Sequence, residues 1–443
     1  MSFASYPEYK DTGVKWLGQS PCDWKIKRFK QVFIERDERS LDGSETLLSV
    51  SAYTGVSPRS EIRDQDEHIS RSESLEGYKI CYPNDLVMNI MLAWNRGLGV
   101  SRYEGIVSPA YCVFKIVDDS DPNFLDYLLR TNEYTGYFKC FSTGVIDSRL
   151  RIYPDTFRSL HVALPSKEEQ KVIAKFLDYE TDKIDALVSE QERLIRLLKE
   201  KRQAVISNAV TKGLNPKAKM KDSGVEWLGL VPEHWTLRKL KYIAEFAGGG
   251  TPSRENLDFW NGEIPWVSPK DMKMEFLENS EEKITQQGLK NSSSNLIEAG
   301  QILMVVRSGI LKHTIPVAIN IVPVSMNQDM KALKFNKAIC SSEFFMRWVQ
   351  GLNDLLLLEW AKQGATVESI EHNYLKETVI PLPPLKEQIQ INEYLKKLIS
   401  EFEGLINSSE VSINLLQERR SALISAAVTG QIDVRNYQLK EVA

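Results

Sequence analysis

The sequence predicts an α+β protein built twice: two globular blocks and two long helices, related by a pseudo-twofold internal repeat. Three observations carry this. A short tryptophan-rich segment occurs twice, and a long amphipathic stretch occurs twice in one ungapped register. The stretches between them alternate β-like runs with turn signals. At 443 residues the chain has room for about three domain-sized units. Hydrophobic residues at 42% and charged residues at 26% exclude general disorder. The net charge of −4 means that any binding to nucleic acid must be local, not spread over the surface.

The first element is the lead-in segment. Residues 11–30 read DTGVKWLGQSPCDWKIKRFK and residues 222–241 read DSGVEWLGLVPEHWTLRKLK, with nine of 20 positions identical at an offset of 211. Both tryptophans of each copy match: Trp16 with Trp227 and Trp24 with Trp235. They read as anchors that tie each segment to its block through large buried area, the alternative being platforms on which bases stack.

The first block, to residue 163, holds the runs TLLSVSAYTGV, YKICYPNDLVMNIML and GIVSPAYCVFKI and then a helix, PNFLDYLLRTNEYTGYF. Residues 164–213 form the first long helix. Residues 164–211 (LPSKEEQ…ISNAVT) match residues 382–429 (LPPLKEQ…ISAAVT) at 19 of 48 positions without a gap. Apolar residues Ile173, Leu177, Ile184, Leu187, Leu194, Leu198 and Val205 recur at intervals of three, four and seven. So do Ile391, Leu395, Leu398, Phe402, Leu405, Leu416 and Leu423 in the second copy. Each stripe runs for about 60 Å, and two such stripes most simply bury one another, although either helix could instead lie on its own block. Ser166 and Glu169 suggest a capping box, and Gly213 and Gly430 stand where helices should end. Residues 214–381 repeat the pattern of lead-in and block, with IPWVSPKDM, GQILMVVRSGIL and MKALKF before a helix, SSEFFMRWVQGLNDLLLLEWAKQ. Residues 382–443 are the second helix and a tail.

Catalytic patterns are scarce. The five cysteines, at 22, 81, 112, 140 and 340, make no CxxC pair, which fits a reducing cytosol and no disulfide framework. The five histidines (68, 161, 234, 313, 372) show no metal-binding spacing, so no metal site is expected. Gly248, Gly249 and Gly250 lack the lysine of a P-loop and read as a tight turn. Ser108-Pro109-Ala110-Tyr111 only echoes the amide-containing motif of amino-methyltransferases. Asp155, Glu169 and Lys171 have the order of a metal-dependent nuclease, but the repeat replaces the lysine with Ile389. Residues 1–10 carry no apolar core and residues 302–306, the longest strongly apolar run, are far too short for a span; a cytoplasmic protein away from membranes is expected.

Charge is uneven within the blocks. Residues 301–334 net +3 and residues 79–117 net +2, whereas residues 57–78 net −3. Basic residues mixed with Asn, Gln, Ser and His suit contacts to phosphates and base edges, with Asn95, Ser108, Ser308, His313, Asn327 and Gln328 as polar candidates. The expected DNA-contacting residues are Asn95, Arg96, Arg102, Arg149 and Arg151 in the first block. In the second they are Lys270, Arg307, Ser308, Lys312, His313 and Lys331. For Arg307, directly after an apolar strand, pairing with Asp329 is the competing expectation.

The segments DTGVKWLG…W and DSGVEWLG…W, the LPxxxEQ helix starts, the RxAxISxAVT helix ends and GGGTPSREN…FWNGEIPWVSPKDM together resemble the specificity subunit of type I restriction–modification enzymes. The resemblance covers essentially the whole chain. It implies that the two blocks are target recognition domains, each reading one half of a bipartite site in double-stranded DNA. It implies that the two helices form an antiparallel coiled coil, which sets the spacer and docks two methyltransferase subunits. The chain would then be non-catalytic and bind no cofactor: S-adenosylmethionine would belong to the methyltransferase partner, ATP and Mg to a motor and endonuclease partner. A stand-alone nuclease and a coiled-coil adaptor that binds only proteins are the alternatives.

Overall fold

In the computed structural model, residues 3–52, 54–59, 74–362 and 367–437 are described. His68 and most of the acidic stretch 57–78 lie outside them. The chain divides into two units, Met1–Gln191 with Val411–Ala443, and Glu192–Glu410. Each long helix therefore contributes to both units, unlike the division into blocks and helices expected from the sequence.

In the first unit, strands Phe33–Arg36, Tyr111–Ile116, Leu86–Asn89 and Leu98–Val100 form an antiparallel sheet in that order. Strict alternation divides its side chains. Leu86, Met88, Cys112 and Phe114 join an aromatic core with Phe29, Phe138 and Phe157, while Val87 and Val113 join a smaller cluster with Leu48, Val50 and Val56. With both faces covered, strand 86–89 is buried throughout and begins with three consecutive apolar residues, which hides its alternation in the sequence. The single helix expected after the sheet is two, Pro122–Leu129 and Asn132–Phe141. Thr131 breaks it, because its hydroxyl caps the second helix by accepting from the Tyr134 N–H.

In the second unit, strands Ala244–Gly248, Met330–Phe335, Ile302–Val305, Val317–Asn320 and Phe276–Leu277 form the main sheet, with only the last pairing parallel. The expected helix here also splits, into Ser342–Gly351 and Asn353–Trp360. The Asn353 side chain turns away to accept from the Ile315 N–H at 2.8 Å. Gly249 and Gly250 are not a left-handed turn, since neither has a positive φ. They are glycines because a Cβ on Gly249 would collide with the Met326 and Asn327 carbonyls, and one on Gly250 with Ser293.

The repeated residues meet at one joint in each unit. In the first, the Glu169 carboxylate accepts from Trp24 Nε1 (3.0 Å) and from the Tyr6 hydroxyl (2.6 Å). In the second, Glu387 accepts from Trp235 Nε1 (3.2 Å) and lies 2.8 Å from His234 Nε2. Gln170 and Gln388, next in sequence and both buried, take the N-cap backbone N–H of the adjacent helix, from Asp121 (2.8 Å) and Ser341 (2.9 Å). The capping box at the first helix is therefore half formed: Ser166 accepts from the Glu169 N–H, but the Glu169 side chain is spent on Trp24 and Tyr6. Trp24 and Trp235 are fully buried, as anchors should be, whereas Trp16 and Trp227 are half-buried against the cores of their units.

The long helices run from Lys167 to Lys212 and from Leu385 to Val428. Gly213 and Gly430 end them at φ 74° and 75°. In the first unit, Gly430 abuts Trp24 beside the start of the first helix, and Arg420 holds Asp185 through two bonds. In the second unit, Gly213 abuts Trp235 and Glu387 at the start of the second helix, and Arg202 lies 4.0 Å from Glu403. The helix pairing is thus antiparallel within each unit. The expected seam needs correction. Ile173 and Leu177 sink into the core of the first unit, Ile391 and Leu395 into that of the second. Ile184 and Phe402 are buried, and Leu198, Val205, Leu398, Leu416 and Leu423 are half-buried. Leu187, Leu194 and Leu405 face outward, at 53, 43 and 54% exposure. The inward turn after Ile184 is taken by Val188, four residues on, and near Phe402 by Ile406.

Candidate nucleic-acid interface

Each unit brings two loops of its block side by side. In the first unit, the chain leaving strand Leu86–Asn89 makes a short turn through Ala93–Asn95 and continues to Arg96, whose φ of 59° aims it out of the turn. Residues 141–153 form the neighbouring loop, joined to the first where the Ile152 N–H donates to the Ile90 carbonyl at 3.0 Å. Lys139 ties the pair further, lying 4.9 Å from the Trp94 ring centre and 2.8 Å from Asp147. In the second unit, the chain leaving strand Ile302–Val305 turns through Gly309–Lys312 beside residues 367–370. There the Ile370 N–H donates to the Val306 carbonyl at 2.8 Å. Ile152 and Ile370 stand at the same offset, 218, as the repeated helices. The internal repeat therefore extends upstream into loops whose sequences have diverged.

Most of the expected contact residues fall on these loops. Asn95, Arg149 and Arg151 are exposed on the first pair, and Arg96 donates to Asn132 Oδ1 at 2.6 Å. Arg102 lies apart from them but shares with Arg96 and Arg130 a cleft of about 1240 Å3, closed on one side by Arg420. Arg130 was missed in the sequence because it follows an apolar helix without a basic run. Burial lowers its pKa, an effect that Asp126 at 3.8 Å opposes and Arg96 and Arg420 reinforce.

In the second unit, Arg307, Lys312 and His313 are exposed on one loop, and Ser308 caps its turn. The Arg307–Asp329 pair exists, with Nε 2.7 Å from Oδ1, yet the arginine side chain remains 56% exposed. Lys331 sits half-buried on strand Met330–Phe335. Burial holds its ammonium below the usual range, and Lys376 adds to this. His372 is lowered by burial first and by Lys331 and Lys376 second. Lys270 belongs to a different feature. Beside it, Arg254 donates to Glu282 (Nη2 to Oε2, 2.9 Å) and stacks 4.0 Å from the Trp260 ring centre. Arg254, in the SREN run after the glycines, was also missed.

A nuclease centre is not assembled from Asp155, Glu169 and Lys171, because Glu169 is bound to Trp24 and Tyr6. Among the described residues no group of three or more His, Cys, Asp or Glu could hold a metal, and no helix is long and apolar enough to cross a membrane.

Residues 232–412 match the family described as the Type I restriction modification DNA specificity domain. The EcoR124I/EcoR124II specificity subunit of Escherichia coli is 38% identical over 189 residues, 42% of this chain and 43% of that subunit. The chain thus matches under half the length of this relative. The MjaVIII specificity subunit of Methanocaldococcus jannaschii is 25% identical over 373 residues, covering 79% of this chain and 80% of the relative. A solved chain described under complex assembly and conformational transition of the type I R-M system has a TM-score of 0.69 at 15% identity. That match covers 92% of this chain and 98% of the other, a likeness of fold.

Proposed function

We propose that this chain, which carries a Type I restriction modification DNA specificity domain, is a non-catalytic subunit that selects the DNA sequence for a restriction–modification complex. Each unit reads one half of a bipartite site in double-stranded DNA. One observation carries the reading: the two units repeat the same pair of loops, joined by the same backbone bond, but furnish them with different side chains. Asn95, Arg96, Arg149 and Arg151 in one unit, and Arg307, Ser308, Lys312 and His313 in the other, supply the donor forks and points of charge that base edges and phosphates take. Different side chains on one scaffold recognise different half-sites.

The paired helices act as the spacer, of about one DNA turn or roughly 34 Å. Their outward leucines, Leu187 in the first unit and Leu194 and Leu405 in the second, suit docking of two methyltransferase subunits. The methyltransferase holds S-adenosylmethionine, and a motor and endonuclease subunit, when present, holds ATP and Mg. Sequencing the methylated bases of a host that expresses this chain with its methyltransferase tests the reading. A bipartite motif with two unlike halves is expected, and methylation without a motif would overturn it.

A further inference from the structure

In the loop at residues 141–153 of the first unit, the two residues at the tip are apolar and exposed. Val145 is 96% exposed, more than any other large apolar side chain among the described residues, and Ile146 is 53% exposed. The loop is nonetheless built, not slack. Thr143 and Arg151 exchange both backbone bonds (2.9 and 3.0 Å), and the Arg149 N–H donates to the Ile146 carbonyl at 2.8 Å. Leu150 and Ile152 bury its root, and Lys139 pins Asp147 at 2.8 Å. Gly144 takes a φ of +154°, and a Cβ there would strike the Arg149 carbonyl oxygen, so the tight return of the chain requires glycine.

A hydrogen-bonded loop that holds two aliphatic side chains in water has no folding reason to do so. Arg149 and Arg151 stand exposed on the same loop, with exposed Asn95 and half-buried Arg96 on the loop beside it. A protein partner with a plain apolar socket would not be matched by these arginines, whereas a duplex would: phosphates answer the guanidiniums, and the stacked bases between them are apolar.

We propose that Val145 and Ile146 form a wedge that enters the DNA at one base step of the half-site read by the first unit and partly unstacks it, with Arg149 and Arg151 on the flanking phosphates. The inference rests on the reading of the chain as a DNA-selecting subunit and adds to it a deformation component of specificity, favouring flexible pyrimidine–purine steps.

The test uses the complex of this chain with its methyltransferase subunits. Duplexes carrying the methylated motif receive 2-aminopurine at each position in turn, except the methylated adenine, whose extrusion would raise fluorescence by itself. A rise at one step is expected. The Val145→Ser/Ile146→Ser variant should lose that rise and bind the motif about tenfold more weakly, with an unchanged melting temperature. Val145→Leu/Ile146→Leu should retain the rise. If the serine pair melts early, Val145→Ser alone serves, since that side chain is almost fully exposed. No rise at any step, or a rise that survives the serine substitutions, overturns the wedge and leaves sequence selection standing. A serine variant that binds DNA normally but no longer assembles with the methyltransferase assigns the tip to a protein partner and also overturns it. A complex that prefers no motif overturns both inferences.

Discussion

Replacing Arg307 by alanine separates recognition from stability, because the structure bounds the second. The guanidinium makes one ion pair, Nε to Asp329 Oδ1 at 2.7 Å, with 56% of the arginine side chain and 21% of the aspartate exposed. An exposed pair of this kind contributes about 0–1 kcal/mol. Asp329 keeps Asn327 Nδ2 at 3.3 Å after the truncation, so no buried charge is orphaned. For a unit of this size each kcal/mol moves the melting temperature by about 2–4 °C, so the variant should melt no more than about 4 °C below the parent. Only Nε is engaged by a described residue, and both Nη groups remain to face a guanine. A lost bidentate contact relaxes discrimination at one base by about 1–3 kcal/mol, roughly 5- to 150-fold. The assay is competition between duplexes substituted base by base, at fixed salt, beside a thermal melt. Relaxed selection at one position, with the other half-site still read, is expected. A melting loss well beyond 4 °C with equal weakening on every duplex would show that Arg307 serves the fold. Unchanged melting and unchanged selection at every base would refute both roles.

Further outcomes follow from the joints and the helices. Gln388→Ala leaves the Ser341 N–H and the carbonyls of Ile339 and Pro383 without their buried partner, at a cost of about 3 kcal/mol in a denaturant melt. A loss under about 1 kcal/mol would mean that water replaces the amide. The purified chain, incubated with S-adenosylmethionine or with Mg2+ and DNA, should neither methylate nor cleave; labelled product of either kind would contradict the proposed role. A heptad inserted in both long helices should lengthen the spacer in the methylated motif by about three base pairs, since seven residues rise roughly 10 Å. An unchanged spacer in a folded variant would mean that the helices are not the ruler. Lowering the pH should destabilise the second unit at His372. Burial depresses its folded pKa, so the unfolded chain takes up the proton first as pH falls through its ordinary value near 6.5. His372→Gln should flatten the melting profile between about pH 7 and 5, and an identical slope would remove His372 as the cause.

The parts of the fold legible in the sequence are those built from repeated residues. Trp24 and Trp235 read as anchors and are buried, and the helix-ending glycines take the left-handed conformation expected of them. Glu169 and Gln170 could be seen to recur as Glu387 and Gln388, but not what they do: their partners, Trp24 and Asp121, lie far off in sequence. Helix breaks were missed at Thr131 and before Asn353, where a cap or side-chain bond redirects a chain that remains apolar on both sides. The seam was misplaced at Leu187, Leu194 and Leu405 because an apolar stripe does not say which apolar residues meet the second helix and which await a partner. Of the expected DNA contacts, those on the paired loops fall together in each unit. Lys270, beside Arg254 and Glu282, does not, since charge runs carry no information on which loops become neighbours.

What is constant and what varies are separated in space as well as in sequence. Tryptophan, glutamate, glutamine and glycine recur where a lead-in segment, the start of one long helix and the end of the other converge; there each carboxylate and amide has at least two partners, each indole N–H one, and each glycine a steric limit. A change in any of them leaves a buried donor, acceptor or void. The paired loops are joined differently. Ile152 and Ile370 reach Ile90 and Val306 through the backbone, a bond that any non-proline residue can make, so this link between the loops does not depend on the side chains at its ends. A joint fixed by side chains and a proposed reading surface linked through the backbone would let recognition change without disturbing the frame. That division is what a subunit needs if its scaffold must meet the same partners while its two halves come to read unlike sequences.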